Sequence, residues 1–165
     1  MTRKAVAFTG PSNSGKTTLI VKLAELLLPQ KKVAIVKNDP KDKARFDVEG
    51  KDSDRFFKTG AEVAVVSPTR TTLFSRKAGV IEEIVRLFGD FDYLFVEGLK
   101  TLPLPRIAVF RNAIDESYFD YAQAIAIDAT IDPKKCKIPD GIDILNLNDP
   151  RFVLEWIKRR AKEVQ

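Results

Sequence analysis

The chain has 165 residues, of which 44% are apolar and 31% are charged, a composition that fits one compact domain with its own core. The single cysteine, Cys136, excludes an intrachain disulfide, and the lack of histidine excludes Ser-His-Asp triads and imidazole metal sites. The formal net charge is +5, with basic residues concentrated at 37–45 and 158–162, which indicates either a solvated surface or attraction to anionic partners.

The N-terminal segment lacks the pattern of a signal peptide, and no apolar run approaches the length of a membrane span. Together with the single cysteine, this predicts a protein of the reducing cytoplasm with no membrane partner. No basic sheet face interleaved with aromatic residues is evident, so we do not expect a nucleic-acid partner.

In chain order, the first half predicts a strand–helix–strand unit and then a hairpin. Strands are predicted at 4–9, 32–37, 62–67 and 71–75, and helices at 16–28, 52–58 and 80–88. Residues 38–49 are polar and charged, and we expect a loop there.

The second half predicts strands at 93–96, 106–110, 124–127 and 144–147. A last helix is predicted to begin at Pro150 under an Asp149 cap, with one core-facing stripe made of Phe152, Val153, Trp156, Ile157 and Ala161. Strands alternate with helices, which predicts an α/β fold. We expect a P-loop NTPase-like three-layer domain over residues 1–165, with a mostly parallel sheet and helices on both faces.

A phosphate-binding pattern, Gly10-x-x-x-x-Gly15-Lys16-Thr17, lies between the first predicted strand and the first helix. Glycines let the backbone N–H groups curl around phosphate oxygens, and the helix N-terminus adds positive potential. We expect Lys16 to reach the β- and γ-phosphates and the Thr17 hydroxyl to bind Mg²⁺. The predicted nucleotide-binding residues of this loop are Gly10, Ser12, Asn13, Ser14, Gly15, Lys16, Thr17 and Thr18.

A P-loop site also needs a carboxylate opposite its threonine, directly or through water, to hold Mg²⁺. Glu97 ends the apolar strand Tyr93–Val96, and a glutamate there can also orient an attacking water. Lys16 and Glu97 are therefore the predicted catalytic residues. Asp39, just past the second strand, is a further candidate for the metal beside Thr17 and Glu97.

The identity of the base is less well marked. Asp47-Val48-Glu49-Gly50 matches the Asp-x-x-Gly of GTPase switches, but Asp52 and Ser53 just after it are alternatively helix-capping residues, and the Asn-Lys-x-Asp guanine signature is absent. Polar residues at or beyond late strand ends are candidates for base contacts: Asp128, Asn146, Asn148 and Asp149. Of these we select Asp128 as a nucleotide-binding residue.

Three stretches in order carry a resemblance to one family. They are GPSNSGKTTL at 10–19, FDVEGKDSDRFFKTGAEVAVV at 46–66 and DYLFVEGLKTLPLPRIAVFR at 92–111. This arrangement resembles the MobB family of molybdopterin-guanine dinucleotide biosynthesis adapter proteins over residues 4–150. The resemblance implies a homodimeric GTP-binding protein with weak GTPase activity. Its implied partners are the guanylyltransferase that attaches GMP to molybdopterin, and molybdopterin itself, whose phosphate we expect near the basic stretch 37–45.

One segment departs from the family pattern. The family has Lys-His-x-His-His after its second strand, whereas this chain reads Lys37-Asn38-Asp39-Pro40-Lys41-Asp42. Lysines and aspartates must perform here whatever those histidines do. Two other functions fit the same motifs, namely a small-molecule kinase that uses ATP or GTP and a binding module in which the nucleotide only sets the conformation.

Overall fold

The computed structural model describes residues 2–165, and the chain forms two compact units. The first unit comprises the described residues up to Asn38 together with Asp90–Gln165, and the second comprises Asp39–Gly89. In chain order the elements are β1 (Arg3–Thr9), α1 (Lys16–Leu27), β2 (Val33–Lys37), α2 (Asp52–Lys58), β3 (Val63–Val66), β4 (Thr71–Phe74), α3 (Ile81–Leu87), β5 (Tyr93–Glu97), β6 (Arg106–Phe110), β7 (Ala124–Ile127), β8 (Asp143–Asn146), α4 (Pro150–Arg160) and β9 (Lys162–Val164).

The first unit is built on a seven-stranded sheet in the order β2-β5-β1-β6-β7-β8. Those six strands are parallel, and β9 adds antiparallel pairing to the start of β1. Parallel neighbours need crossover connections, so the carboxyl ends of β1, β5 and β6 meet at one edge of the sheet. The predicted α/β class with a mostly parallel sheet is confirmed.

Alternate residues of the strands supply two separate cores. On one face Phe8 and Val109 pack with Leu23 of α1 and Trp156 of α4. On the other face Phe110 and Ile125 pack against residues from two 3₁₀ segments and their flanking loops, at 116–121 and 133–135. The first face is thus covered by long amphipathic helices and the second by short helical turns.

The last helix follows the predicted start but not the whole predicted stripe. The Asp149 carboxylate accepts the Phe152 N–H at 3.0 Å, as an N-cap does. Leu154 is buried beside Val153, Trp156 and Ile157, whereas Phe152 is 47% exposed and the prediction that it packs in the core is wrong. Phe152 lies in the first turn of α4 and lines a surface cavity together with Ile144 and Leu145 of β8.

The second unit contains α2, α3 and a two-stranded antiparallel sheet of β3 and β4. The predicted pairing of these two strands is confirmed, with Val63 opposite Phe74 and Val66 opposite Thr71. Val63 is buried, but Val65, Val66 and Leu73 are exposed, and Val66 is 74% exposed. This hairpin therefore presents apolar side chains outside its own core.

Residues 2–165 contain no helix that is both long and apolar enough to cross a membrane. The expectation of a single nucleotide-binding domain over 1–165 stays a prediction, because two compact units within one chain do not decide whether each can fold alone.

Candidate functional site

The phosphate-binding loop connects β1 to α1 at the carboxyl edge of the parallel sheet. Gly10 adopts φ 132, and a Cβ at this position would lie 2.4 Å from the Val109 carbonyl oxygen of β6. Only glycine fits so close to the neighbouring strand with that backbone angle. The first glycine of the motif therefore lets the chain turn sharply out of β1 and begin the loop.

The Lys16 side chain folds back onto the phosphate-binding loop. Its Nζ donates to the Gly10 carbonyl at 2.9 Å and to the Pro11 carbonyl at 2.7 Å. Burial lowers the pKa of this ammonium, Lys37 lowers it further, and the Glu97 carboxylate opposes both effects. The Lys16 charge is thus held over the curled loop in a partly desolvated place, where an incoming anion would be strongly attracted.

Two further features fit this loop to a phosphate group. Ser14 is buried, and its hydroxyl has no hydrogen-bond partner among the described residues. Helix α1 has no side-chain N-cap, so its first turn has backbone N–H groups available for an anion. Ser12, Asn13, Thr17 and Thr18 are exposed around the same turn. A buried polar group without a partner is costly, and a phosphate oxygen would supply one.

Glu97 ends β5 beside the loop, and it carries an ion pair that sequence reasoning missed. Lys37 ends the adjacent strand β2, and its Nζ lies 2.8 Å from Glu97 Oε2. The two residues are direct partners in the parallel register. The charges of Lys37 and Glu97 both affect the pKa of Lys16, so Lys16 lies near this ion pair. The edge of the sheet therefore carries two ammonium groups and one carboxylate. The missing signal was the pairing of β2 with β5, which are far apart in sequence.

The turn after Glu97 is fixed by its neighbours. A Cβ on Gly98 would lie 2.9 Å from the Asn38 Cβ, and Gly98 adopts φ 85. Arg106, only 1% exposed, donates to the Gly98 carbonyl at 2.7 Å and to the Leu99 carbonyl at 2.8 Å. Burial lowers the pKa of this guanidinium. Arg106 thus ties the start of β6 to the turn that positions Glu97.

Asp128 is linked to the phosphate-binding loop through Arg111. Arg111 Nε lies 3.2 Å from Asp128 Oδ2, and a Cβ on Gly15 would lie 3.4 Å from the Arg111 guanidinium carbon. The Thr130 hydroxyl donates to Asp128 Oδ1, and this bond, with the Arg111 charge, lowers the pKa of the carboxyl. The sequence alone assigned Arg111 no role at this loop, because its place there comes from the parallel pairing of β1 with β6.

A cavity of about 440 Å³ opens at the carboxyl ends of β7 and β8. Its lining combines apolar side chains such as Ile127 and Ile131 with the polar groups of Asp128, Asn146 and Asn148. The site therefore brings three of the four candidate base-contacting residues to one cavity. The fourth, Asp149, uses its carboxylate to cap α4.

The remaining metal candidate lies in the second unit. The Asp39 carboxylate accepts the Ala44 N–H at 2.7 Å, so it orders its own loop. Across residues 2–165 no group of three or more acidic or sulfur side chains is arranged to hold a metal. Mg²⁺ in nucleotide sites is held by one or two protein groups together with phosphates and water, so a hydroxyl and one carboxylate suffice. The metal roles of Thr17, Glu97 and Asp39 stay predictions.

The switch-like motif of the second unit has a structural use. The Asp47 carboxylate accepts the Val48 N–H and the Ser53 hydroxyl, and Asp54 accepts the Gly50 N–H. The residue before α2 is Lys51, with no side-chain cap, so Asp52 and Ser53 do not cap the helix as the sequence suggested. Instead, Asp47 and Asp54 together brace the turn into α2.

The chain is similar to known proteins in both sequence and structure. The family model "MobB: Molybdopterin guanine dinucleotide synthesis protein B" matches residues 5–131. The chain is 29% identical to the probable molybdopterin-guanine dinucleotide biosynthesis adapter protein of Bacillus subtilis (strain 168), over 93% of this chain and 92% of the relative. It is 26% identical to the adapter protein of the same name from Escherichia coli (strain K12), over 94% of each chain.

Solved structures agree on the fold. The crystal structure of Bacillus subtilis MobB superposes with a TM-score of 0.76 at 24% identity, covering 96% of this chain and 98% of that one. Hydrogenase maturation factor HypB from Archaeoglobus fulgidus superposes with a TM-score of 0.55 at 19% identity, covering 95% and 87%. At these identities the likeness concerns the arrangement of strands and helices.

Proposed function

This chain belongs to the MobB family, and on that premise we propose that it is a GTP-binding adapter with weak GTPase activity that assists the attachment of GMP to molybdopterin. The family resemblance noted in the sequence is confirmed by the family model and by adapter proteins matched over nearly the whole chain. The observation that supports nucleotide binding best is the Lys16 ammonium, held over a curled glycine loop whose buried Ser14 hydroxyl lacks a partner.

Each part of this loop has a role in binding phosphates. The N–H groups at the start of α1 and the Ser14 hydroxyl donate to phosphate oxygens. Lys16 exchanges its two carbonyl contacts for the β- and γ-phosphates, and the exchange is favourable because the phosphate oxygens carry negative charge whereas the carbonyl oxygens are neutral. Arg111 stands beside Gly15 as a second cation at the loop.

Thr17 and Glu97 are the residues that would hold Mg²⁺, which supplies charge stabilisation to the phosphates when bound. In the described chain Glu97 is ion-paired with Lys37, so that lysine keeps the carboxylate oriented at the strand end. One carboxylate with no histidine partner gives limited means to activate water, which is consistent with slow hydrolysis.

For the base, we propose the cavity formed at the ends of β7 and β8. Guanine presents N1–H and N2–H₂ donors, and the Asp128 carboxylate is a charged acceptor that Arg111 and Thr130 hold in place. Arg111 contacts this carboxylate and also lies beside Gly15. Arg111 therefore connects the base cavity to the phosphate-binding loop. A site built around such an acceptor discriminates against adenine, because adenine lacks the N1–H and N2–H₂ donors that would reach this carboxylate.

The proposal also covers partners and location. The partners are the guanylyltransferase that makes the dinucleotide and molybdopterin, and the adapter acts as a homodimer in the cytoplasm. The exposed apolar hairpin supports the dimer.

The experiment that tests this function is a calorimetric titration of GTP and ATP, each with and without Mg²⁺. We expect GTP to bind at least about tenfold tighter than ATP, because adenine forgoes hydrogen bonds to a charged acceptor, which contribute about 1.5–3 kcal/mol. Equal affinities would exclude the guanine assignment and favour a small-molecule kinase. Phosphate release measured with GTP alone and then with candidate acceptors separates hydrolysis from phosphoryl transfer, and binding without any turnover would favour a pure binding module.

A further inference from the structure

The loop that follows Glu97 forms one wall of a second cavity in the first unit, with a volume of about 630 Å³. The apolar segment Leu102–Pro105 makes this wall, and Tyr121 and Gln123 line the same cavity. The lining also contains three cations, from Lys100, Arg160 and Lys162, and the single carboxylate of Asp120. Such a volume suits a small molecule rather than a protein segment.

Two of the three cations of this cavity have no ion pair. Among residues 2–165, neither Lys100 nor Lys162 forms an ion pair with a carboxylate, and Lys162 Nζ instead donates to the Pro103 carbonyl at 3.3 Å. Lys100 is partly balanced by Asp115, because the pKa of that carboxyl is lowered first by hydrogen bonds from Ser117 and then by the nearby Lys100 charge. Arg160 reaches one partner, Asp143, at 3.4 Å, and both side chains are largely exposed. A concave surface with excess positive charge attracts anions, and phosphate is the group that such a set of donors recognises well.

The cavity also offers a flat apolar surface. The Lys100 ammonium lies 4.1 Å from the centroid of the Tyr118 ring and 5.5 Å from that of Tyr121. The exposed Tyr121 ring and the prolines that line the same cavity offer apolar surface for a planar ring. Cations and an aromatic surface at one cavity together favour a ligand that has both a phosphate and a flat ring.

The wall of the cavity is held at both ends. Arg106 fixes the Gly98 and Leu99 carbonyls at one end, and the Ala7 N–H of β1 donates to the Pro105 carbonyl at 2.8 Å at the other. The cavity is therefore largely formed before any ligand binds, and its wall continues directly from Glu97. A ligand there contacts the same loop that positions Glu97.

We propose that this cavity binds a small organic phosphate that carries a flat heterocycle of the pterin type. The preference for phosphate and a flat ring comes from the lining residues, whereas the choice of a pterin rests on the proposed function. This location differs from the basic stretch 37–45, where the sequence alone led us to expect the pterin phosphate.

The test is a fluorescence titration of the full chain with neopterin monophosphate, using neopterin as the phosphate-free probe. Saturating GTP with Mg²⁺ is present, and the Lys16→Ala variant is titrated in parallel, so that binding at the nucleotide loop is excluded. We expect the phosphorylated probe to bind about tenfold to a hundredfold tighter than neopterin, since charge-assisted hydrogen bonds account for the difference.

The double variant Lys100→Met/Lys162→Met should abolish that difference. The matched control is Lys41→Met/Lys43→Met, which removes the same charge from the stretch 37–45 and should leave the difference intact. Tyr121→Ser should weaken both probes by a similar factor, because it removes the ring surface and leaves the cations. This single variant keeps the test decisive if circular dichroism shows that the double variant does not fold.

Three results would contradict the proposed ligand of the cavity. They are equal affinities of the two probes, loss of binding in the control variant but not in the Lys100/Lys162 variant, and loss of binding in the Lys16→Ala variant. GTP binding is measured on the same samples. Pterin phosphate binding without GTP binding would support the ligand proposed for the cavity and contradict the proposed function. GTP binding without pterin phosphate binding would support the proposed function and contradict the ligand proposed for the cavity.

Discussion

Lys16 is the single residue on which the proposed nucleotide binding depends most. Its ammonium makes two hydrogen bonds to loop carbonyls, and these are ready to be exchanged for phosphate oxygens. Charged hydrogen bonds contribute about 1.5–3 kcal/mol, so Lys16→Ala should weaken GTP binding by about tenfold to a hundredfold. Calorimetry measures this, with Lys22→Ala, an exposed lysine of α1, as the control that should bind normally. Affinity within twofold of the unaltered protein, in a folded variant, would contradict the assignment of the loop.

The same lysine predicts a pH dependence. Burial lowers the pKa of Lys16 below the usual 10.5. Phosphate binding needs the protonated form, so affinity is complete below the folded-state pKa and is lost as the pH rises through it. GTP affinity should therefore begin to fall at a lower alkaline pH than an ordinary lysine would give. The Lys16→Met variant lacks the titrating ammonium, so its pH profile reports the effect of the ionisation of GTP itself. Parallel pH profiles of the two proteins would refute the prediction.

Thr17 and Glu97 should act through the metal. Thr17→Ala and Glu97→Gln are each expected to weaken GTP binding or turnover more in Mg²⁺ than in EDTA, because their oxygens serve the ion rather than the nucleotide. Glu97→Gln also removes the ion pair with Lys37, so Lys37→Met is measured beside it. Equal losses with and without Mg²⁺ would indicate that these side chains hold the nucleotide or the fold instead.

Among the elements, the β3–β4 hairpin exposes apolar side chains that a second protein chain could cover. Val65, Val66 and Leu73 are exposed, and a two-stranded sheet has unpaired edges. A second copy would cover this surface with the same residues. Light scattering at micromolar concentration should give a mass of twice the 18.5 kDa of one chain. The Val66→Glu variant should instead have the mass of a single chain. Val21→Glu, at an exposed apolar residue of α1, is the control, and a monomer without any substitution would remove the idea.

The elements with strong periodic patterns could be predicted from the sequence. Strands β6 and β7 and helix α2 begin and end where the sequence placed them. Strand β9 was missed because Lys162-Glu163-Val164 has no apolar alternation and becomes a strand only by pairing with β1. The 3₁₀ segments at 116–121 and 133–135 were missed because such short turns have no periodic signal.

The candidate site was predictable to the extent that its motif is local. The run Gly10–Thr17 contains both its turn and its ligand groups, so one short stretch identifies it. The contacts of Glu97 with Lys37, and of Asp128 with Arg111, depend on which strands are neighbours. Sheet order involves strands distant in sequence, so no local pattern could specify those pairs.

At the scale of the whole molecule, the adapter role predicts an effect on another enzyme. Adding this protein with GTP and Mg²⁺ should increase GMP transfer to molybdopterin by the guanylyltransferase. The Lys16→Ala variant should lose that effect while keeping its fold, because the nucleotide is needed for it. Product formation followed by chromatography measures the outcome, and equal transfer with and without the protein would exclude the adapter role.

The antiparallel pairing of β9 with β1 has a consequence for synthesis on the ribosome. Within residues 2–165, the backbone edge of Arg3–Ala5 that faces away from β5 pairs with Lys162–Val164, which are translated after every other strand of the sheet. Until then the first part of this strand keeps an open backbone edge, the kind of surface that recruits chaperones or pairs wrongly with other nascent chains. The strand that leads into the phosphate loop is thus begun first and completed last.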